Sequence, residues 1–497
     1  MSLYHDLIEY TDKQYTPLHM PGHKRNPLFP QPDAYKSDIT EIPGFDSLYE
    51  ESGPLLSLKE RVQRLYHSEN SFLLVNGSTG GLLTAIRSAT KRGDTVLMAR
   101  NCHCAVYHAI RMFGLHAEYI QPDCDIYGIA EGIRLEQVQK ALERCKLASL
   151  VILTSPTYEG RISELKAISD YLHEQNIPLL VDEAHGAHLS LHPTFEGSAV
   201  AAGADLVVQS LHKTLPALTQ TALLHVNGPL VSLDRVRTNF KMLQTSSPSF
   251  LLLSSVDQCI SALEEQADEL FSALQQNLLQ FYEKTKGLKQ LHVIHPVEYA
   301  SSYDPSRIVV TTPDTLTGLQ LAERLKQDFG IELEASAPRH IIAITGIADT
   351  QETFERFADA LLAVDAELER STLFYNQTTV SSETVPQATV PNTMNRATEN
   401  TRFSVEHIFH YPAIPEAVCD SHAVEDASTK SLPYSACEGH ISAEFLYLYP
   451  PGIPMLVPGE RVNTELLACM EQLLKNGFSL YGPRRAADQY LQVIWEN

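Results

Sequence analysis

Between residues 54 and 226 the chain alternates short apolar segments with amphipathic helical ones, and this alternation limits the folds open to it more than any other feature. The apolar segments are FLLV (72–75), TVLMA (95–99), AEYI (117–120), SLVILT (149–154), PLLVD (178–182), DLVVQS (205–210) and TALLHV (221–226). Between them lie helical patterns such as LLSLKERVQRLYH and LLTAIRSATK, and further helices near 104–113, 134–145 and 162–175. Strands this short and nearly all-apolar must be buried on both faces. Separated by helices, they predict a mainly parallel sheet covered on both sides, an α/β fold.

The chain has 497 residues, and single cores stop growing at roughly 250–300, so several units are expected. Residues 1–50 read as a mixed, turn-rich N-terminal segment, with PGH at 21–23 and IPGF at 42–45. Residues 51–290 form the large domain and end in long helices from 229. Residues 291–370 read as a small α+β domain, with strands at 307–312, 331–335 and 340–345 and helices at 317–328 and 351–370. Residues 371–402, rich in Ser, Thr, Asn and Pro, read as a linker or mobile loop. A last α+β unit, 403–497, carries a strand at 442–448, a stiff turn at 449–454 and a helix at 463–476.

The net charge of −23 argues against nucleic acid and anionic membranes as partners, since both need basic surfaces. No apolar run approaches the ~20 residues of a membrane helix. The N-terminus lacks the cationic flank and apolar stretch of a secretory signal, so a cytoplasmic location is expected. The eight cysteines have no framework-like spacing and read as reduced thiols. Cys102-His103-Cys104 lacks a second ligand pair, so no metal site is expected.

Open parallel sheets bind ligands at the carboxyl ends of their strands, and four segments emerge there. Gly77-Ser78-Thr79-Gly80 starts a helix, where backbone N–H groups and hydroxyls suit a phosphate or simply cap the helix. Asn101-Cys102-His103 offers an imidazole that can stack on a flat ring or cap a helix. In Val181–Gly186, Asp182 follows a buried strand and needs a partner. That partner is a metal shared with Glu183, His185 and His188, a protonated ring nitrogen, or a helix start. Ser210-Leu211-His212-Lys213-Thr214 places a lysine after a buried strand, where desolvation makes it an imine-forming nucleophile. No single segment decides. Their order does: a phosphate loop, a stacking His, an Asp ~100 residues after the loop and a Lys ~30 beyond it match the layout of fold-type-I pyridoxal-5′-phosphate (PLP) enzymes.

His19-Met20-Pro21-Gly22-His23-Lys24, Asn76–Gly80, Arg100–His103, Ser155-Pro156-Thr157-Tyr158, Val181–His188, Gln209–Lys213, Tyr449–Pro454 and Pro458-Gly459-Glu460 together resemble the ornithine/lysine/arginine decarboxylase family. The likeness covers nearly the whole chain and is nearest the short bacterial class without an N-terminal wing domain. It implies PLP-dependent α-decarboxylation of a small basic amino acid (arginine, lysine or ornithine) to a polyamine-pathway amine. It implies that Lys213 carries the cofactor as a Schiff base, that Asp182 binds the pyridine nitrogen, and that His185 lies at the ring and His103 on its face. Ser78, Thr79, Gly80, Ser210 and His212 hold the phosphate, Glu460 reads the distal cation of the substrate, and two subunits form a homodimer.

Two positions depart from the family pattern: Gly439-His440-Ile441 stands where relatives carry Gly-Arg-Ile, and Arg339 lies in SAPRHIIAIT, where they tend to have Tyr-Asn. Aminotransferases of the same fold clamp a substrate carboxylate with a small-domain arginine. Arg339 therefore leaves an aminotransferase, or another fold-type-I PLP enzyme, as the alternative reading. A catalytically silent PLP-binding regulator is a lesser one.

Overall fold

The computed structural model describes residues 3–26, 34–45, 47–50, 52–296, 303–380, 413–448 and 452–495. In chain order the first strands are β1 (Thr16–Leu18), β2 (Asn70–Leu74), β3 (Thr95–Ala99), β4 (His116–Ile120), β5 (Ala148–Thr154), β6 (Leu179–Asp182), β7 (Leu206–Ser210) and β8 (Ala222–Val226). The last seven form one sheet in the order β2-β8-β7-β6-β5-β3-β4. All neighbours from β7 to β4 pair in parallel, and β8 runs antiparallel to both its neighbours. Six strands therefore end at one edge, with β8 reversed among them. Strands β7 and β8 are buried at every position, as apolar runs covered on both faces require.

The helix Gly77–Ala89 crosses this sheet closely. A Cβ on Gly81 would sit 2.7 Å from Leu74 Cδ1 and 2.9 Å from a Val208 methyl, so only glycine permits the approach. The helix Cys104–Phe113 begins at His103, whose side chain accepts from Ala105 N, and ends at Gly114 with φ 62°. Both ends lie where the sequence placed them.

The small sheet follows with β9 (His292–Val293), β10 (Arg307–Thr311), β11 (Ile331–Leu333), β12 (Ala335–Ser336) and β13 (His340–Ile344), in the order β12-β13-β10-β9. The N-terminal segment differs from its turn-rich expectation. It contains the helix Leu3–Asp12, and β1 pairs in parallel with β11. Thr-Pro-Leu is too short to show periodicity, and it is held by its partner strand rather than by its own pattern.

The main core continues across residue 290: Phe281, on the helix Phe250–Thr285, stacks on Phe357 at 5.3 Å, and Leu291 and Ile308 join the same cluster. The helix Gln351–Val380 runs past the expected end at 370, so Ser371–Val380 is helix rather than linker. Polar and β-branched residues cost a propagating helix only tenths of a kcal/mol each, too little to end it. The rest of the expected linker, through 402, lies outside the described residues.

The C-terminal unit has β14 (Thr429–Pro433), β15 (Leu446–Leu448), β16 (Ile453–Leu456), β17 (Leu480–Tyr481) and β18 (Tyr490–Ile494). Its own core gathers Leu446, Leu456, Leu466, Met470, Leu473 and Val493. The strand expected at 442–448 is shorter: Ser442 makes only an isolated bridge to Val493. Of the expected turn, residues 449–451 lie outside the described residues. Among the described residues no helix is long and apolar enough to cross a membrane.

Candidate active site

A cavity of about 610 Å³ opens at the carboxyl edge of the main sheet. Lys213 lies in the short helix Leu211–Thr214 directly after β7 and reaches this cavity. Burial lowers the pKa of its amine, while Asp182 and Glu334 act in the opposite direction. The Nζ atom is 3.1 Å from His185 Nε2. Asp182 ends β6 with 3% exposure, and its Oδ1 accepts from Ala184 N at 3.2 Å. Burial raises its pKa against the pull of Lys213.

His185 is held from behind. Arg307, fully buried on β10, donates from Nη2 to the His185 carbonyl at 2.9 Å and lies 3.3 Å from its Nδ1. Tyr158 meets the His185 ring edge-on at 5.2 Å. Burial, then Lys213 and Arg307, push the imidazole well below its usual pKa, so it is neutral. Three residues further on, His188 turns away from the cavity to Asp304 Oδ1 at 3.1 Å. Glu183 faces the core, where it accepts from Ala199 N and Gln209 Nε2, each at 2.6 Å. The metal grouping considered for Asp182, Glu183, His185 and His188 is therefore dispersed. Among the described residues no three His, Cys, Asp or Glu side chains converge on an ion site.

On the opposite wall Ser78 and Thr79 line the cavity at the start of the helix Gly77–Ala89, and Asn76 gives that helix no side-chain cap. Gly77 N donates to the Gln220 carbonyl at 2.9 Å, and the N–H groups that follow it at the helix start face a ligand site. His212 lines the cavity, and its Nδ1 bonds the Thr221 carbonyl at 2.9 Å. His103 does so with Nδ1 committed to Ala105 N at 3.2 Å. Burial brings both imidazoles down to about 4. Ser210 Oγ and Thr154 Oγ1 are buried without a hydrogen-bond partner. A desolvated lysine amine, a buried carboxylate, a helix start with two hydroxyls and the orphaned Thr154 hydroxyl at the cavity fit PLP.

The Orn/Lys/Arg decarboxylase major-domain model matches residues 1–351, and the C-terminal-domain model of the same family matches residues 399–477. The chain belongs to the Orn/Lys/Arg decarboxylase family. It is a PLP-dependent decarboxylase of a basic amino acid. The arginine decarboxylase of Bacillus subtilis (strain 168) is 29% identical over 511 residues, covering 99% of this chain and 98% of that one. The lysine decarboxylase LdcA of Pseudomonas aeruginosa is 24% identical, covering 94% of this chain and 74% of its own length. The crystal structure of the Francisella novicida lysine decarboxylase LdcF superposes with a TM-score of 0.74 at 20% identity, covering 93% of this chain and 75% of that one.

Within this decarboxylase, the structure gathers Ser78, Thr79, His103, Asp182, His185, His212 and Lys213 around one cavity. Four expected residues are not on its wall. Gly80 is buried in the first helical turn, where its carbonyl accepts from Thr84 Oγ1 at 2.8 Å. Ser210 lies behind the wall as the last residue of β7. Arg339 pairs with Asp314 at 2.7 Å, away from the cavity. Glu460, 2% exposed, is engaged by Arg100 Nη2 at 3.0 Å rather than open to a ligand.

Arg100, Tyr158 and Glu334 are among the lining residues that were given no role from the sequence. Arg100 and Tyr158 stand in the family motifs, so a signal existed. Glu334, which accepts from Tyr158 Oη at 2.8 Å and from Met20 N at 3.0 Å, carried none.

Proposed function

We propose that this decarboxylase takes arginine and releases CO2 and agmatine, as a cytoplasmic homodimer supplying polyamine synthesis. The observation that carries the substrate is that relatives named arginine decarboxylase, from three Bacillus species and Halalkalibacterium halodurans, match 94–100% of this chain and 97–98% of their own lengths. The lysine decarboxylases leave about a quarter of their lengths unmatched.

In this reading Lys213 holds the cofactor through its amine, Asp182 faces the ring nitrogen, and Ser78 and Thr79 with the helix start take the phosphate. Bound PLP supplies the electron sink for the pair left when the carboxylate departs as CO2. The protein supplies the rest. The buried Lys213 amine is neutral more readily than an exposed one and is therefore nucleophilic. With His185 Nε2 at 3.1 Å, a proton can move between the two at the cavity wall. Arg307 and Tyr158 keep that imidazole in place.

The described lining residues of the cavity also include no free carboxylate clamp. Among its described lining residues the only arginine and lysine side chains are Arg100 and Lys213, and Arg100 is neutralised by Glu460. Among the described residues, Arg339 itself is paired with Asp314 off the cavity wall, which speaks against the aminotransferase reading it raised. Incubating the PLP-loaded protein with arginine, lysine and ornithine and identifying the amine by mass spectrometry tests the proposal. Faster release of cadaverine or putrescine than of agmatine would refute the substrate.

A further inference from the structure

Arg100 follows β3 and lies with 7% exposure at the cavity wall. Its guanidinium is packed over two rings, 4.9 Å from the centroid of Tyr119 and 5.5 Å from that of Tyr107, and donates to Tyr107 Oη at 3.1 Å. The remaining bonds leave the large domain. Nη2 donates to Glu460 Oε2 at 3.0 Å and to the Met455 carbonyl at 3.4 Å.

The Glu460 carboxylate belongs to the C-terminal unit and is as deeply buried as its partner. Its Oε2 also accepts from Val457 N at 2.8 Å, while Oε1 is buried without a partner. Its backbone is fixed in the same unit, with Ser442 N donating to the Glu460 carbonyl at 2.8 Å. Between Met455 and the large domain lies a stretch that forms part of the cavity itself: Ile453, Pro454 and Met455 line it. The other end of that stretch is tied by Cys104 N, which donates to the Gly452 carbonyl at 3.3 Å. Gly452–Met455 is therefore suspended at both ends from the loop that carries His103.

We propose that Arg100 and Glu460 form a latch that holds the C-terminal wall of the cavity, Gly452–Met455, against the large domain. Glu460 is thus a positioning residue that acts on substrate binding through Arg100 and the wall, without touching the substrate's cation. The inference rests on the decarboxylase reading for its ligand, though not for its structural half.

The test uses PLP-loaded full-length protein with Glu460→Ala, Glu460→Gln and Arg100→Met. Both bonds to Glu460 converge on one oxygen, so an amide oxygen can keep them and Glu460→Gln retains the latch. Amide hydrogen exchange of the peptide spanning 452–457 is expected to quicken in Glu460→Ala and Arg100→Met and to stay near wild type in Glu460→Gln. Binding is read from the cofactor's visible band with arginine and with citrulline, its uncharged isostere. Glu460→Ala is expected to weaken both by a similar factor, about tenfold, since a displaced wall costs every occupant. Glu460→Gln should restore both to within about threefold.

A carboxylate that reads the substrate cation directly behaves differently: arginine alone loses affinity, and the amide does not rescue it. That pattern, or unchanged exchange at 452–457 in Glu460→Ala, overturns the latch. If instead agmatine is never formed but exchange follows the expected order, the substrate reading fails and the latch stands.

Discussion

Replacing Lys24 by methionine removes the group that ties the N-terminal segment to the small domain. Lys24 Nζ donates to the carbonyls of Pro17 at 3.2 Å, His19 at 2.9 Å and Ile344 at 2.7 Å, and lies 3.8 Å from Asp349 Oδ2. Both charged side chains are at most 3% exposed. Breaking a buried pair by removing one partner costs about 3–5 kcal/mol. The orphaned carboxylate can take up a proton rather than stay charged, which bounds part of that cost. Burial has already raised the Asp349 pKa to about 6, with Lys24 pulling it down. Losing Lys24 moves it higher. A carboxyl raised in the fold binds more protons folded than unfolded, so its contribution to stability falls as pH rises from its unfolded pKa to its folded one. In the wild type that window closes near pH 6. In Lys24→Met it stays open above that, adding a slope of about 1 kcal/mol per pH unit. Urea midpoints at pH 6 and pH 8 measure this: the mutant's deficit should be about 3 kcal/mol at pH 6 and larger at pH 8. Adding Asp349→Asn should remove the extra slope. A deficit below about 1 kcal/mol, or one equal at both pH values, would refute the argument.

Gly22→Ala would place a Cβ 2.7 Å from the Leu215 carbonyl oxygen and 2.8 Å from Thr214 C, backbone atoms directly after Lys213. An expected loss of about 2 kcal/mol in thermal unfolding should come with weaker retention of PLP on dialysis. Asp304 is held well below the usual carboxylate range because His188, Arg307 and Ser306 outweigh its burial. Such a depressed carboxyl stabilises the fold above its unfolded pKa, and that contribution is lost as pH falls; Asp304→Asn should therefore flatten the acid limb of a stability-versus-pH curve and lower stability near pH 7 by about 3 kcal/mol.

The main sheet was legible because its central strands β6, β7 and β8 are buried at every position, and such burial writes itself as nearly unbroken apolar runs, whereas the edge strand β4 alternates exposed and half-buried positions. β1 was not, since three residues carry no period and its partner β11 lies more than 300 residues away. The helix extension through Val380 was missed for a related reason. Composition reports propensity, and propensity is weaker than the continuation of an existing helix. Glu334 sits in a segment whose alternation identified a strand, yet nothing local showed that Tyr158 and the Met20 amide would meet it at the cavity.

The two charged residues expected at the substrate share one feature. Glu460 was expected there from the family resemblance and Arg339 from its departure from the family pattern, and each is paired with an opposite charge. Asp314 compensates Arg339, and Arg100, 360 residues away in sequence, compensates Glu460. No periodic pattern carries that information. Asp182 and Glu183 show the opposite case. Two adjacent carboxylates leave the end of β6, and strand alternation sends them to opposite faces. One faces Lys213 across the cavity. The other takes its two donors in the core, and its pKa is raised by burial to about 8. Which carboxylate faces the cavity thus follows from the pleat and from the donors each side offers, and the first of these is written in the sequence.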